Sequence, residues 1–270
     1  MFDMMNQAAN AIEVYNTALK VHNANIANMS VAGYKRLDIS FQSILDKMMN
    51  PGSAADTMSY LGGTNPRQYG QGVGIANIGV DFTAGSFTDT GSGIDLAING
   101  QGLFIVSGDG GNTYQYTRAG KFTKDSSNNL ITETGLQVYG LNSSGAIAPI
   151  SGLTSDISQY TWDQGTGELK LLDGTSTGFR IALTYFNNSG GLEQTSGTTF
   201  KETLSSGSAA TPSAPGGPAG SILAGQIEQS NVFYIGESID SLEIQRAISA
   251  NLSTVKAASD LIASFISKIG

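Results

Sequence analysis

Apolar residues recur every seven positions at both ends of this chain and roughly every two positions between them. From Glu237 to Ile269 neither Pro nor Gly interrupts the pattern. Ile248, Val255, Ile262 and Ile269 are seven apart, and Leu252, Ala258, Phe265 and Ile266 fill the same edge. The spacing predicts a helix with one apolar edge, and a seven-residue repeat favours supercoiling against a second helix. At ~1.5 Å per residue that helix runs roughly 50 Å, far longer than the usual globular helix. Only the N-terminus carries a matching pattern. Met5, Ile12, Leu19 and Ile26 are again seven apart, with Ala8, Tyr15, His22 and Met29 three residues after each. The two ends are therefore expected to meet as a coiled coil, with everything from about residue 35 to 230 inserted between them.

The first helix is expected over residues 3 to 30, with Asp3 at its positive end. Its other face carries Asn6, Gln7, Asn10, Asn16, Asn23, Asn25 and Asn28. Side-chain amides donate and accept, so this face suits a helix surrounded by other helices without burying charge. Gly33 is placed to supply the left-handed turn that ends it. Residues 37 to 50 read as extended at first, then as one helical stretch. From Gly52 to Gly74 the chain is rich in Gly, Ser, Asn and Gln and reads as a linker.

From Val73 to Val138 the period changes to two. Ile78/Val80/Phe82, Leu96/Ile98, Leu103 to Val106 and Tyr114/Tyr116 are short β runs broken by turn residues. Gly108 to Asn112 and Asp125 to Asn129 read as hairpin turns. Residues 146 to 177 look like a small inserted β piece holding the single Trp, Trp162. Strand character returns from Phe179 to Phe186. Residues 205 to 221 are Ser, Gly, Ala, Pro and Thr and read as a connector.

The fold class is thus α+β: paired terminal helices, an inserted and mainly antiparallel β domain, and a smaller inserted β piece. The expected layout is 1–34 and 229–270 helical, 35–72 and 205–228 linking, 73–145 and 178–204 β domain, and 146–177 the inserted piece.

Composition narrows the function. Charged residues are only 13% of the 270, about half the usual share, while Gly reaches 35. Such a surface suits contact with other surfaces. The formal net charge of −8 argues against nucleic acid, because counterion release needs clustered Lys and Arg. There is no cysteine, hence no disulfide framework and no thiolate ligand or nucleophile. No apolar run is long enough to span a membrane. The start, Met-Phe-Asp, lacks the basic region and apolar core of a cleaved leader. The one histidine, His22, lies on the apolar seam, where a packed or interface role is expected. Asp81, Asp89 and Asp95 are near enough in sequence to form a glycosidase-like carboxylate pair, but aspartates in β turns are the simpler reading. No catalytic residue, cofactor or metal is expected.

Three groups of motifs resemble the bacterial flagellar rod and hook proteins. The first is Asn25-Ile26-Ala27-Asn28, a short spacer, Gly33-Tyr34-Lys35, and then Phe41. The second is Asp81-Phe82-Thr83, Asp95-Leu96-Ala97-Ile98 with Gly100 and Gly102, and Arg118 with Gly120. The third is Glu228-Gln229-Ser230-Asn231-Val232 followed by Gln245-Arg246. They fall in family order over about three quarters of the chain. Two departures stand out: Ala247-Ile248 in place of a small–aromatic pair, and the apolar Phe233-Tyr234-Ile235-Gly236 segment. Arg118 has two partners open to it by sequence, Asp95 or a residue of a neighbouring subunit.

The resemblance implies a non-enzymatic subunit that polymerises with itself into a hollow tube. It implies other axial, junction and cap proteins and the flagellar export apparatus as partners, and a place in the extracellular hook or the periplasmic rod. The Gly62-Gly63-Thr64-Asn65-Pro66 and Asp81-Phe82-Thr83 segments favour the hook, the joint that transmits torque. The chain length fits the distal rod. A secreted β-rich carbohydrate-binding protein or enzyme is the rival from another class, and it leaves the matching terminal helices unexplained. The expected subunit interface, a helical seam, is Met5, Ile12, Tyr15, Leu19, His22, Ile26, Ile248, Leu252, Val255, Ile262, Phe265, Ile266 and Ile269.

Overall fold

The computed structural model describes residues 2–50, 63–65 and 67–269. The chain divides into two compact units, one of residues 1–24, 38–78 and 235–270, the other of residues 25–37 and 79–234.

The first unit holds two helices and a long hairpin. Helix α1 is Phe2–Ala27 and helix α2 is Tyr234–Ile269. Strands β1 (Leu37–Asn50) and β2 (Arg67–Val80) pair as a two-stranded sheet. The helical stretch expected within 37–50 is therefore strand. Residues 67–74, read as linker, are strand as well: two long strands paired side by side tolerate glycines that would weaken an isolated one. Gly62 and Pro66 of the hook-like segment lie outside the described residues. Tyr15 packs edge-on against Phe41 of β1, with ring centroids 6.0 Å apart.

His22 near the end of α1 meets Glu237 in the first turn of α2, while Met4 lines a cavity with Thr254, Ala257, Ala258 and Leu261. The helices therefore run antiparallel. Met4 is the third residue of α1, and Leu261 stands eight residues before the end of α2.

The second unit is almost wholly antiparallel β. After β3 (Phe87–Asp89), β4 (Leu96–Asn99) and β5 (Leu103–Ser107) come β6 (Gln115–Thr117), β7 (Phe122–Lys124), β8 (Leu130–Thr132) and β9 (Gln137–Leu141). They are followed by β10 (Ile147–Pro149), β11 (Tyr160–Trp162), β12 (Glu168–Leu171), β13 (Ser176–Ile181) and β14 (Leu183–Thr184). The last four are β15 (Glu193–Ser196), β16 (Thr199–Lys201), β17 (Ser221–Ala224) and β18 (Gln226–Glu228). Twelve of these strands form one sheet, whose main path runs β11-β12-β13-β9-β5-β6-β16-β15.

The middle of that path is β5, which pairs with β6, β9 and β14. All five of its residues are buried. Phe104 and Val106 enter one apolar cluster, with Leu96, Ile98, Phe122, Val138 and Leu183. Leu103 and Ile105 enter a second, with Tyr116, Tyr139, Phe186 and Phe200. Alternate residues of a strand point to opposite faces, so β5 reads as a continuous apolar run because both of its faces are covered.

Residues 146–177, read from sequence as a separate small β piece, continue this sheet. β13 pairs with β9, and Trp162 and Leu169 join the cluster that holds Phe104. The Trp162 indole N–H donates to Ile94 O at 2.8 Å. The stretch 205–228, read as linker, ends in two paired strands: β17 pairs with β4 and β18 with β3.

Candidate assembly site: a buried clasp and an exposed helical edge

The second unit binds together the two stretches through which its chain enters and leaves. On the entering side, α1 gives way to a turn in which Asn28 N–H donates to Asn25 O and Val31 N–H to Asn28 O. Gly33, six residues past the end of α1, takes the left-handed conformation at φ 72°. A Cβ there would strike the backbone of Ala119, so the position demands glycine on two counts.

Asn25 is fully buried. Its amide donates to Leu37 O at 2.9 Å and accepts from Leu37 N–H at 2.9 Å. The side chain thus occupies the place of a β-strand neighbour for Leu37. Tyr34 O–H donates to the same Asn25 oxygen at 3.3 Å.

The leaving side supplies Glu228, the last residue of β18. Its carboxylate is the centre of a buried ion cluster. Lys35 Nζ lies 2.6 Å from Oε1 and Arg118 Nη1 lies 3.3 Å from Oε2. Gly85 N–H also donates to Oε1 at 3.0 Å, and Glu228 O accepts from Gly33 N–H at 2.8 Å. Lys35 Nζ donates further to Thr83 O, and Arg118 donates to Ile98 O and Gly100 O. Burial pushes the Lys35 ammonium below its ordinary pKa, and Glu228 pulls it back up. The same two influences act on Arg118, which stays a cation.

Asn231 adds a second tie. Its Oδ1 accepts from Arg36 N–H at 2.7 Å, and its Nδ2 donates to Asp81 O at 2.9 Å and to Thr83 O at 3.1 Å. Ser230 Oγ accepts from Val232 N–H and so helps turn the chain toward α2.

Most of the family-motif residues thus converge on one place. Lys35, Arg118 and Gly100 join the ion cluster, while Asn25, Tyr34, Ser230 and Asn231 order the backbone beside it. Gly100 has φ 151°. Gly102 does not share that conformation; its role is space, since a Cβ would press on Ala219 O. Gly120 is likewise packed onto Leu96 O. Asp95 is buried but is not the partner of Arg118: it accepts from Phe122 N–H. Gln245 and Arg246 stand exposed on α2. Glu228 heads the third motif, but its role as the centre of an ion cluster is not legible in the sequence. A carboxylate flanked by two distant cations is visible only once β18 is known to lie against β3.

The helices present a different picture. The covered edge of α2 is Glu237, Ser241, Ile244, Ile248, Asn251, Val255, Ala258 and Ile262, a strict alternation of four and three residues. On α1 the matching edge is Ala8, Ala11, Tyr15, Ala18 and His22. Within one chain, small residues therefore fill most of the covered edge of α1. Met5, Ile12, Leu19 and Ile26 flank it, each half-buried.

On α2, Ile248, Val255 and Ile262 are on the covered edge, whereas Leu252, Phe265 and Ile266 are 59%, 67% and 65% exposed. Leu252 is rotated off the edge by about 100° from Asn251. Phe265 and Ile266 continue the three- and four-residue spacing past Ile262. Ile269 ends the helix. Ile235, Ile239, Leu242 and Leu261 are exposed too. So much apolar area on one helix marks a surface for contact with another molecule.

A clasped β unit joined in sequence to a long, apolar, uncovered helix is the architecture of a structural assembly subunit. Residues 97–161 match the family model of the flagellar hook protein FlgE/F/G D1 domain. The chain is 30% identical over 252 residues to the flagellar basal-body rod protein FlgG of Bacillus subtilis, covering 92% of each. It is 33% identical over 261 residues to FlgG of Caulobacter vibrioides, covering 94% of this chain and 95% of that protein. It is 32% identical over 141 residues to the flagellar hook protein FlgE of Borreliella burgdorferi, covering 52% of this chain and 31% of that one. The chain belongs to the bacterial flagellar rod and hook protein family, and it is a structural subunit of the flagellar axis.

Proposed function

We propose that this protein is a subunit of the distal rod, polymerising through its terminal helices into a straight tube that carries motor torque. The observation that carries this reading is end-to-end coverage: the rod relatives align over more than nine tenths of both chains, whereas the hook relatives align over less than a third of their own length. The sequence motifs alone had favoured the hook, and the hook remains the second reading because the matched D1 domain is shared with it.

In this reading α1 and α2 pair as a short antiparallel coiled coil. Their outer apolar residues, Leu252, Phe265 and Ile266 foremost, pack against neighbouring copies. A contact between unlike patches does not close on itself and builds a filament. The β units stack outside, and their weakly charged surfaces meet one another and the adjoining axial, junction and cap proteins. The chain passes through the flagellar export apparatus unfolded, and its ends order when subunits join. Antibody labelling of purified basal bodies tests the assignment: label on the straight shaft supports the rod, and label on the curved segment outside it supports the hook.

A further inference from the structure

The covered edges of α1 and α2 do not define a unique alignment by shape. Ala8, Ala11 and Ala18 recur at helical spacing and offer nearly equal small surfaces. Sliding one helix by seven residues, about 10 Å, keeps the same face of each helix turned toward the other, although Tyr15 then takes the place of Ala8. A buried polar contact adds a directional constraint. His22 Nδ1 lies 2.7 Å from Glu237 Oε2, and both side chains are buried although 215 positions separate them. A slide of one heptad would set His22 beside Ile244 and carry Glu237 past the end of α1, which breaks the contact. Glu237 also lies in the first turn of α2, where an acid favours the helix dipole. That role needs neither burial nor a partner, and Glu237 has both.

We propose that the His22–Glu237 pair is the register-determining contact of the terminal helices, fixing which turn of α2 faces which turn of α1 during assembly. A single polar pair in an otherwise permissive seam is a known means of specifying helix alignment. The proposal rests on the reading that α1 and α2 pair in the working subunit.

The absence of cysteine from the natural chain makes the test clean. In the full-length protein, Ala18→Cys is combined either with Ser241→Cys, which reports the register of the structure, or with Ile248→Cys, which reports a slide of one heptad. Each is bridged with a short bis-maleimide and scored as cross-linked single chains on a denaturing gel. In the otherwise natural chain the 18–241 bridge should exceed the 18–248 bridge at least about tenfold, the ratio expected from leaving a buried polar group unsatisfied. His22→Leu alone takes away the imidazole that faces the buried Glu237 side chain and can prevent pairing. The double variant His22→Leu/Glu237→Leu keeps an apolar seam, and there the two bridges should come within about threefold of each other. A double variant that retains the tenfold preference overturns the proposal. If neither bridge forms in the otherwise natural chain, the helix-pairing reading itself fails.

Discussion

Lys35 and Glu228, 193 positions apart in sequence, meet at 2.6 Å with both side chains fully buried. Arg118 approaches the other oxygen of the same carboxylate. Two cations thus share one anion inside the β unit, and removing the anion leaves both uncompensated. Glu228→Gln should destabilise the β unit by about 3–5 kcal/mol, the usual cost of breaking a buried pair by taking one partner away. Calorimetric unfolding checks this. Replacing Lys35 with Met in the same chain should recover part of the loss, because one stranded charge is then gone.

Asn231 and Asn25 act on backbone rather than on charge. Asn231→Ala strands Arg36 N–H and the Asp81 carbonyl, and Asn25→Ala strands both backbone groups of Leu37. Each should cost about 1–3 kcal/mol. Amide exchange offers a local readout: the Leu37 N–H should exchange faster in the Asn25 variant and the Arg36 N–H in the Asn231 variant, with β5 unchanged.

Ser241 sits on the covered edge of α2, and its buried hydroxyl has no hydrogen-bond partner among the described residues. Its removal should do no harm. Ser241→Ala relieves an unsatisfied group and improves helix propensity, so it should be neutral or stabilising by up to about 1 kcal/mol. The melting of the helical circular dichroism signal in the assembled protein measures it.

Acid acts at the turns of the β unit. A hydrogen bond from Lys170, helped by the amides of Gly165 and Thr166, holds Asp163 at about 2, below its ordinary value of 3.8. A carboxyl depressed in the folded state contributes stability that is complete above the unfolded value. That stability fades as pH falls from 3.8 through about 2. Carboxylate NMR should show Asp163 titrating below the unfolded aspartate range, and Lys170→Met should move it upward.

Much of the architecture was readable from spacing. The seven-residue repeats located both terminal helices, and the switch to a two-residue period located the β unit. What spacing could not convey was pairing between distant segments. Ser221–Ala224 looked like connector because its neighbours are Gly, Ala and Pro, yet it is held as strand by Leu96–Asn99, more than a hundred residues earlier. Trp162 looked like part of a separate piece because turns surround it, but β13 carries that stretch into the main sheet. The motif residues around Lys35, Arg118 and Ser230 were legible as a set. Their convergence on Glu228 was not, since it depends on where β18 lies. Leu252, Phe265 and Ile266 were placed on the same seam as Ile248. Within one chain those three stand exposed, whereas Ile248 lies on the half-buried edge of three- and four-residue steps from Glu237.

The central claim is that the exposed apolar residues of α2 build the polymer while the β unit stands on its own. The most direct measurement is electron microscopy and sedimentation of the full-length Leu252→Ser/Phe265→Ser/Ile266→Ser variant, alongside its thermal unfolding. The account predicts an unaltered β-unit transition and no tubes at concentrations where the natural chain assembles. Tubes of normal length and diameter from that variant would contradict it.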